Sequence, residues 1–150
     1  MSRREFLIAG SVVAGALRLG LNPARATPDE AQDVIRAIAG SAAVKPGRVR
    51  LDLPPLVENG NTVPLKISVE SPMTPTDHVK AIYLLAEKNP QPVVAVVRFG
   101  PRAGRASVET RIRLADSQTV VAICEMSDGS FWSGTADSVV TIAACVEPGY

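Results

Sequence analysis

The stretch Val63-Pro64-Leu65-Lys66-Ile67-Ser68-Val69 decides the fold. Val63, Leu65, Ile67 and Val69 alternate with Pro64, Lys66 and Ser68, and Glu70 continues the pattern. A period of two sends successive side chains to opposite faces, so this reads as a strand with one face buried. Pro64 has no N–H to give a ladder, which puts it at a strand start or an edge. Upstream, Val49, Leu51 and Leu53 alternate with Arg50 and Asp52 before Pro54-Pro55, and Asn59-Gly60-Asn61 signals a turn. Downstream, Ser71 to His78 holds two prolines and reads as a loop. Further strands are expected over Val79–Glu87, Val93–Phe99, Ala106–Leu114 and Thr119–Met126. The turn Ser127-Asp128-Gly129-Ser130 then separates a short strand, Phe131–Ser133, from a last one, Ser138–Ala143. Seven or eight short strands with turn signals between them predict an all-β, immunoglobulin-like β-sandwich.

One segment breaks the period. Thr27-Pro28-Asp29-Glu30 has the residues of a helix start: a capping hydroxyl, a proline at the first turn and a reciprocal acid. Ala31, Val34, Ile35 and Ile38 then recur at helical spacing, and Gly40 is the expected stop. A short amphipathic helix of this kind must lay its stripe on something larger.

Ahead of it lies an address. Arg3-Arg4 with Phe6-Leu7 precedes an apolar run from about Ile8 to Leu17 and a small-x-small site at Ala24-Arg25-Ala26. That is the order of a secretory leader, and the paired arginines are those of a twin-arginine export signal. The run is too short for a bilayer, which needs ~20 apolar residues, so no membrane anchor is expected. Residues 1–26 are therefore read as signal peptide, residues 27–142 as the sandwich domain and residues 143–150 as a C-terminal arm, with the periplasm as destination.

The whole chain has 150 residues, 16 Lys+Arg and 15 Asp+Glu, which suits one domain. Losing Arg3, Arg4, Arg18 and Arg25 together with Glu5 would leave 12 basic and 14 acidic residues, a net charge of −2. No basic excess survives to meet phosphates, and aromatics are only 4%, so nucleic-acid binding is not expected. One His and two Cys cannot build a closed four-ligand zinc site, and no metal or cofactor is expected.

Motifs for catalysis are missing too. There is no phosphate-cradling glycine loop, no G-x-S-x-G, no H-E-x-x-H and no C-x-x-C. His78, beside Asp77 in the proline-containing loop, could serve a small hydrolase only if a Ser or Cys reached its ring. Phe131-Trp132 reads either as core or as a docking surface. Cys124, inside Val121-Ala122-Ile123-Cys124-Glu125-Met126, reads as a buried, inert thiol. Cys145 follows the last strand, five residues from the end, with only Ala143 and Ala144 before it. Three roles stand open for it: a bridge to Cys124 in an envelope-type structural or binding module, a link between two chains, or a functional thiol presented to other proteins.

From Leu56 to Cys145 the sequence resembles SoxY, the sulfur-compound carrier family of bacterial thiosulfate oxidation. The resemblance lies in Glu58-Asn59-Gly60-Asn61-Thr62-Val63-Pro64, Glu70-Ser71-Pro72-Met73 and Val79-Lys80-Ala81-Ile82-Tyr83-Leu84. It continues through Glu125-Met126-Ser127-Asp128-Gly129-Ser130-Phe131-Trp132 and Val140-Thr141-Ile142-Ala143-Ala144-Cys145. It implies a carrier with no catalytic residues of its own, which holds thiosulfate-derived sulfur covalently on Cys145. It also implies a SoxZ-like partner subunit in a heterodimer, and haem-containing and hydrolytic Sox enzymes that load and unload the thiol. The arm departs from the family's Gly-Gly-Cys-Gly-Gly, reading Ala143-Ala144-Cys145-Val146-Glu147-Pro148-Gly149-Tyr150. Alanine and proline restrict a backbone that glycine leaves free. A carboxylate such as Glu147 close to the sulfur would disfavour the thiolate.

Overall fold

The structure, a computed structural model, describes residues 28–144; the expected leader and Cys145 lie outside the described residues. Among the described residues one helix, α1 (Pro28–Ala39), precedes nine strands: β1 (Val44–Pro46), β2 (Val49–Asp52), β3 (Leu56–Asn59), β4 (Val63–Val69), β5 (Val79–Ala86), β6 (Val93–Arg98), β7 (Ser107–Ile112), β8 (Gln118–Met126) and β9 (Phe131–Ile142). They form two sheets. The larger runs β1-β9-β8-β5-β6, with β3 also paired to β9; the smaller runs β2-β4-β7. This is the immunoglobulin-like sandwich expected from the alternation.

The deciding strand behaves as its period requires. In β4 Val63, Leu65, Ile67 and Val69 are buried and enter the core between the sheets. Pro64 lies one residue into the strand, and β2 pairs only from Lys66 onward, so the missing N–H costs no ladder bond on that side. Strand β8 is buried on both faces. Val120, Ala122, Cys124 and Met126 point into the sandwich, while Val121 and Ile123 belong to a second cluster with Leu85 and Phe131. That second cluster is covered by α1 through Val34, Ile35, Ile38 and Ala39. The helix stripe read from spacing is thus the lid of the larger sheet. Its stop is as expected: Gly40 adopts φ 60°, a left-handed conformation that closes helices, and its N–H reaches the Arg36 carbonyl at 2.8 Å.

Two expectations are corrected. The separate strands at Phe131–Ser133 and Ser138–Ala143 are one twelve-residue strand, β9. The apolar signal fades between them because small residues are needed there: a Cβ on Gly134 would stand 2.2 Å from the Val49 carbonyl oxygen of β2. Leu56–Asn59, where only the turn signal beginning at Asn59 is read from the sequence, is β3, which runs parallel to the end of β9 and pairs Leu56 with Val139 and Asn59 with Ile142. Only Val57 of its four residues is buried, too few to show a period. Strand β1, similarly short, pairs parallel with the start of β9.

Candidate functional site

The candidate site is the place where the described chain ends. Val139 donates to the Pro55 carbonyl at 2.9 Å, and Val140 donates to Ser117 Oγ at 2.9 Å. Gly60 donates to the Ile142 carbonyl at 2.8 Å, and its own carbonyl accepts from Leu114 N–H at 2.9 Å. Ala144 then donates to the Leu114 carbonyl at 3.0 Å and is itself buried. The backbone past β9 is therefore fastened to a platform built from Gly60 and Leu114. Gly60 has no alternative. A Cβ there would lie 2.5 Å from the Leu114 oxygen and 2.9 Å from the Ala144 nitrogen, inside contact distance for both.

Leu114 is held in turn by a buried polar network. Asn89 donates from Nδ2 to the Arg113 carbonyl at 2.9 Å, and its Oδ1 accepts from Ala115 N–H at 3.0 Å, so one amide brackets Leu114 on both sides. Gln118 Nε2 donates to the same Oδ1 at 3.0 Å, and Gln118 Oε1 accepts from Lys88 N–H at 2.8 Å. Among the described residues no buried side-chain polar atom lacks a partner, so the network is closed and rigidifies what it touches. Beside it the surface is apolar: Leu56 and Val139, directly opposite in the ladder, are 64% and 55% exposed, and Ile142 is 63% exposed.

Cys124 sits at the other end of the β8–β9 ladder, opposite Trp132, whereas Gln118 opposite Ser138 closes the near end. The six residue steps from Gln118 to Cys124 span roughly 20 Å at ~3.3 Å per residue. Cys124 is fully buried, its thiol donates to Met126 Sδ at 3.5 Å, and burial pushes its pKa up to about 12. Among the described residues it is a free cysteine.

The remaining candidates are structural. His78 Nδ1 lies 3.0 Å from the Thr74 carbonyl, to which it donates, and His78 N–H donates to Ser127 Oγ at 3.1 Å. Ser127 Oγ is committed to the Thr76 carbonyl at 3.2 Å. The ring pins its loop, and the Ser or Cys a hydrolase needs is not its partner. Phe131 is core, while Trp132 is half-buried with Lys45 Nζ 5.6 Å and the Arg48 guanidinium 4.9 Å from its ring centroid. Arg48 reaches it from a left-handed backbone, φ 59°. An open groove of about 570 Å³ on the smaller sheet, between Asp52, Pro54, Lys66, Glu109 and Arg111, is bridged by a 2.7 Å Lys66–Glu109 ion pair that lowers the glutamate's pKa. Among the described residues no group of three or more His, Cys, Asp or Glu could hold a metal, and no helix is long and apolar enough to cross a membrane.

Sequence reasoning missed Gly60, Asn89, Leu114 and Gln118. The Asn59-Gly60-Asn61 turn was the one available signal, and it showed a turn, not a partner for a segment more than 80 residues away.

Comparison with known proteins agrees with this frame. The sulfur oxidation protein SoxY family model matches residues 35–145. The structure of the sulfur carrier protein SoxY from Chlorobium limicola f thiosulfatophilum superposes with a TM-score of 0.62 at 25% identity, covering 74% of this chain and 96% of that one. A superoxide reductase (neelaredoxin) from Ignicoccus hospitalis shares the fold with a TM-score of 0.55 at 20% identity, covering 76% and 92% of the two chains. The superoxide reductase from Nanoarchaeum equitans does so at 0.52 and 13%, covering 63% and 99%. No curated protein matches the sequence. The family match takes in the helix stripe from Ile35, both sheets and the platform, and it ends on Cys145: the chain belongs to the SoxY family of sulfur oxidation proteins.

Proposed function

We propose that this protein is a periplasmic sulfur carrier that holds a thiosulfate-derived group covalently on the Cys145 thiol. One observation carries the reading: the family match runs through Cys145, while the only other cysteine, Cys124, is sealed in the core. The similar protein from Chlorobium is itself described as a sulfur carrier.

The chemistry asks little of the carrier. The Cys145 thiol and one thiosulfate lose two electrons and one proton as an S–S bond forms, giving a cysteine S-thiosulfonate. A haem-containing partner takes the electrons. Water then cleaves the bond between the outer sulfurs at a hydrolytic partner, releasing sulfate and a proton and leaving a persulfide. A SoxZ-like subunit completes the carrier. The platform supports this division of labour by fixing the backbone up to Ala144, the residue before Cys145. Exposed Leu56, Val139 and Ile142 beside it offer an apolar rim for a partner's entrance.

The test is intact-mass and peptide analysis of the protein incubated with thiosulfate and active partner enzymes. Sulfur- and sulfonate-containing mass is expected on the peptide bearing Cys145 and is lost in Cys145→Ser. An unmodified Cys145 beside demonstrably active partners would refute carriage.

A further inference from the structure

Sheet edges expose unpaired backbone N–H and C=O groups, and native proteins blunt them with short strands, proline or charge. Four of the edges here follow that rule. Strand β1 has three residues including Lys45 and Pro46, β2 carries Arg50 and Asp52, β3 has four residues with Glu58, and β7 carries Glu109 and Arg111. Strand β6 does not. It terminates the larger sheet, pairs only with β5, and five of its six residues, Val93-Val94-Ala95-Val96-Val97, are apolar. Val93 and Val96 remain 37% and 40% exposed.

Charge decides what fits there. From Lys88 to Val108 the chain has four basic residues and no acidic one. Arg98, Arg102 and Arg105 are exposed and form none of the ion pairs among the described residues, in contrast to Lys66 and Lys80, each matched by a glutamate. A second copy paired strand to strand would bring an equal set of unmatched arginines to the same junction, with no carboxylate to offset them.

We propose that the outer edge of β6 is a strand-addition site for a partner protein, which contributes an extended apolar segment flanked by carboxylates that meet Arg98, Arg102 and Arg105. Main-chain hydrogen bonds give the pairing its affinity and the basic flank its selectivity. Strand β6 is three strand positions from β9, so an occupant there leaves the platform and Leu56, Val139 and Ile142 open. The inference does not use Cys145 and stands or falls apart from the carrier chemistry.

Two short peptides test it on the isotope-labelled full chain by NMR titration. Both have an alternating valine–threonine centre, one flanked by glutamates and the other by lysines. Expected are amide shifts confined to β6 and its flanks, with the glutamate peptide binding about tenfold more tightly, as two or three exposed ion pairs allow. Arg98→Glu with Arg102→Glu, both on exposed side chains, should reverse that preference. Equal affinities, shifts elsewhere, or silence up to millimolar peptide would overturn the proposal. So would slow exchange, before any peptide is added, of those β6 amides that point away from β5, which would mean that the edge is already occupied, for instance by a second copy.

Discussion

Gly60 and Asn89 do at residue scale what the sequence alone does not announce: they fix the backbone that follows β9, as far as Ala144. Gly60→Ala forces a Cβ against the Leu114 carbonyl and the Ala144 amide, so backbone on one side or the other must shift. A loss of about 1–3 kcal/mol is expected by denaturant unfolding, together with faster hydrogen exchange at Ala144. An unchanged Ala144 amide would mean that the platform does not hold it. Asn89→Ala strands the Arg113 carbonyl, the Ala115 N–H and one Gln118 donor at once, and about 2–4 kcal/mol should be lost. Asn89→Asp keeps the acceptor but sets a buried carboxylate against the Arg113 carbonyl, so its cost should be large at neutral pH and shrink in acid, where the protonated carboxyl can donate again; a cost independent of pH would argue against the bracketing of Leu114. Cys124 gives a pH dependence. Its ordinary pKa of 9.0 is raised by burial to about 12, so above pH 9 the unfolded chain releases a proton that the folded chain keeps. The unfolded state then binds fewer protons, and stability falls with rising pH across that window by up to about 1.4 kcal/mol per unit. Cys124→Val should flatten this part of the curve relative to the parent. Parallel curves between pH 9 and 10 would show that the thiol is not responsible.

At the scale of elements, α1 turns the larger sheet from half-buried to doubly buried. Leu85, Val121, Ile123 and Phe131 face the helix, not the sandwich core. Ile35→Asp puts a carboxylate into that contact and should cost about 1–2 kcal/mol, with increased binding of a hydrophobic dye as the sheet face opens. No change in dye binding would show that the helix is dispensable as a cover. The elements with a clear sequence signal were legible before the structure: β4 by its alternation, α1 by its helical spacing, and β5 and β8 as apolar runs between turn signals, because burial on one face or on both leaves that trace. The elements that escaped have few buried residues or owe their sequence to something other than hydrophobicity. Leu56–Asn59 buries one side chain, and the middle of β9 is small because β2 presses on Gly134. The continuous apolar run of β6 reads the same at an edge as at a sheet centre, and only the pairing tells them apart. The platform was illegible for another reason. Its parts, Gly60, Asn89, Leu114 and Ala144, are joined by backbone hydrogen bonds and one amide across the chain, and backbone bonds leave no residue pattern.

For the molecule as a whole, the proposed carriage puts the two thiols in opposite regimes. Cys124 lies between the sheets, where every neighbouring strand must part before a reagent reaches it. Cys145 is the first residue after a fixed Ala144, and the proposed carriage needs it open to partners. Alkylation with iodoacetamide separates these regimes in one experiment. A single fast site, mapped to Cys145, is expected in the native protein. Cys124 should react at least about a thousandfold more slowly, through the rare globally unfolded state. Its rate should rise with denaturant on the slope of equilibrium unfolding, because that slope measures the surface exposed. Fast, denaturant-independent labelling of Cys124 would mean that the sandwich opens locally around β8. A slow Cys145 with the same slope as Cys124 would mean that the folded domain withholds the thiol, and carriage on it would be excluded even though the fold and the family would stand.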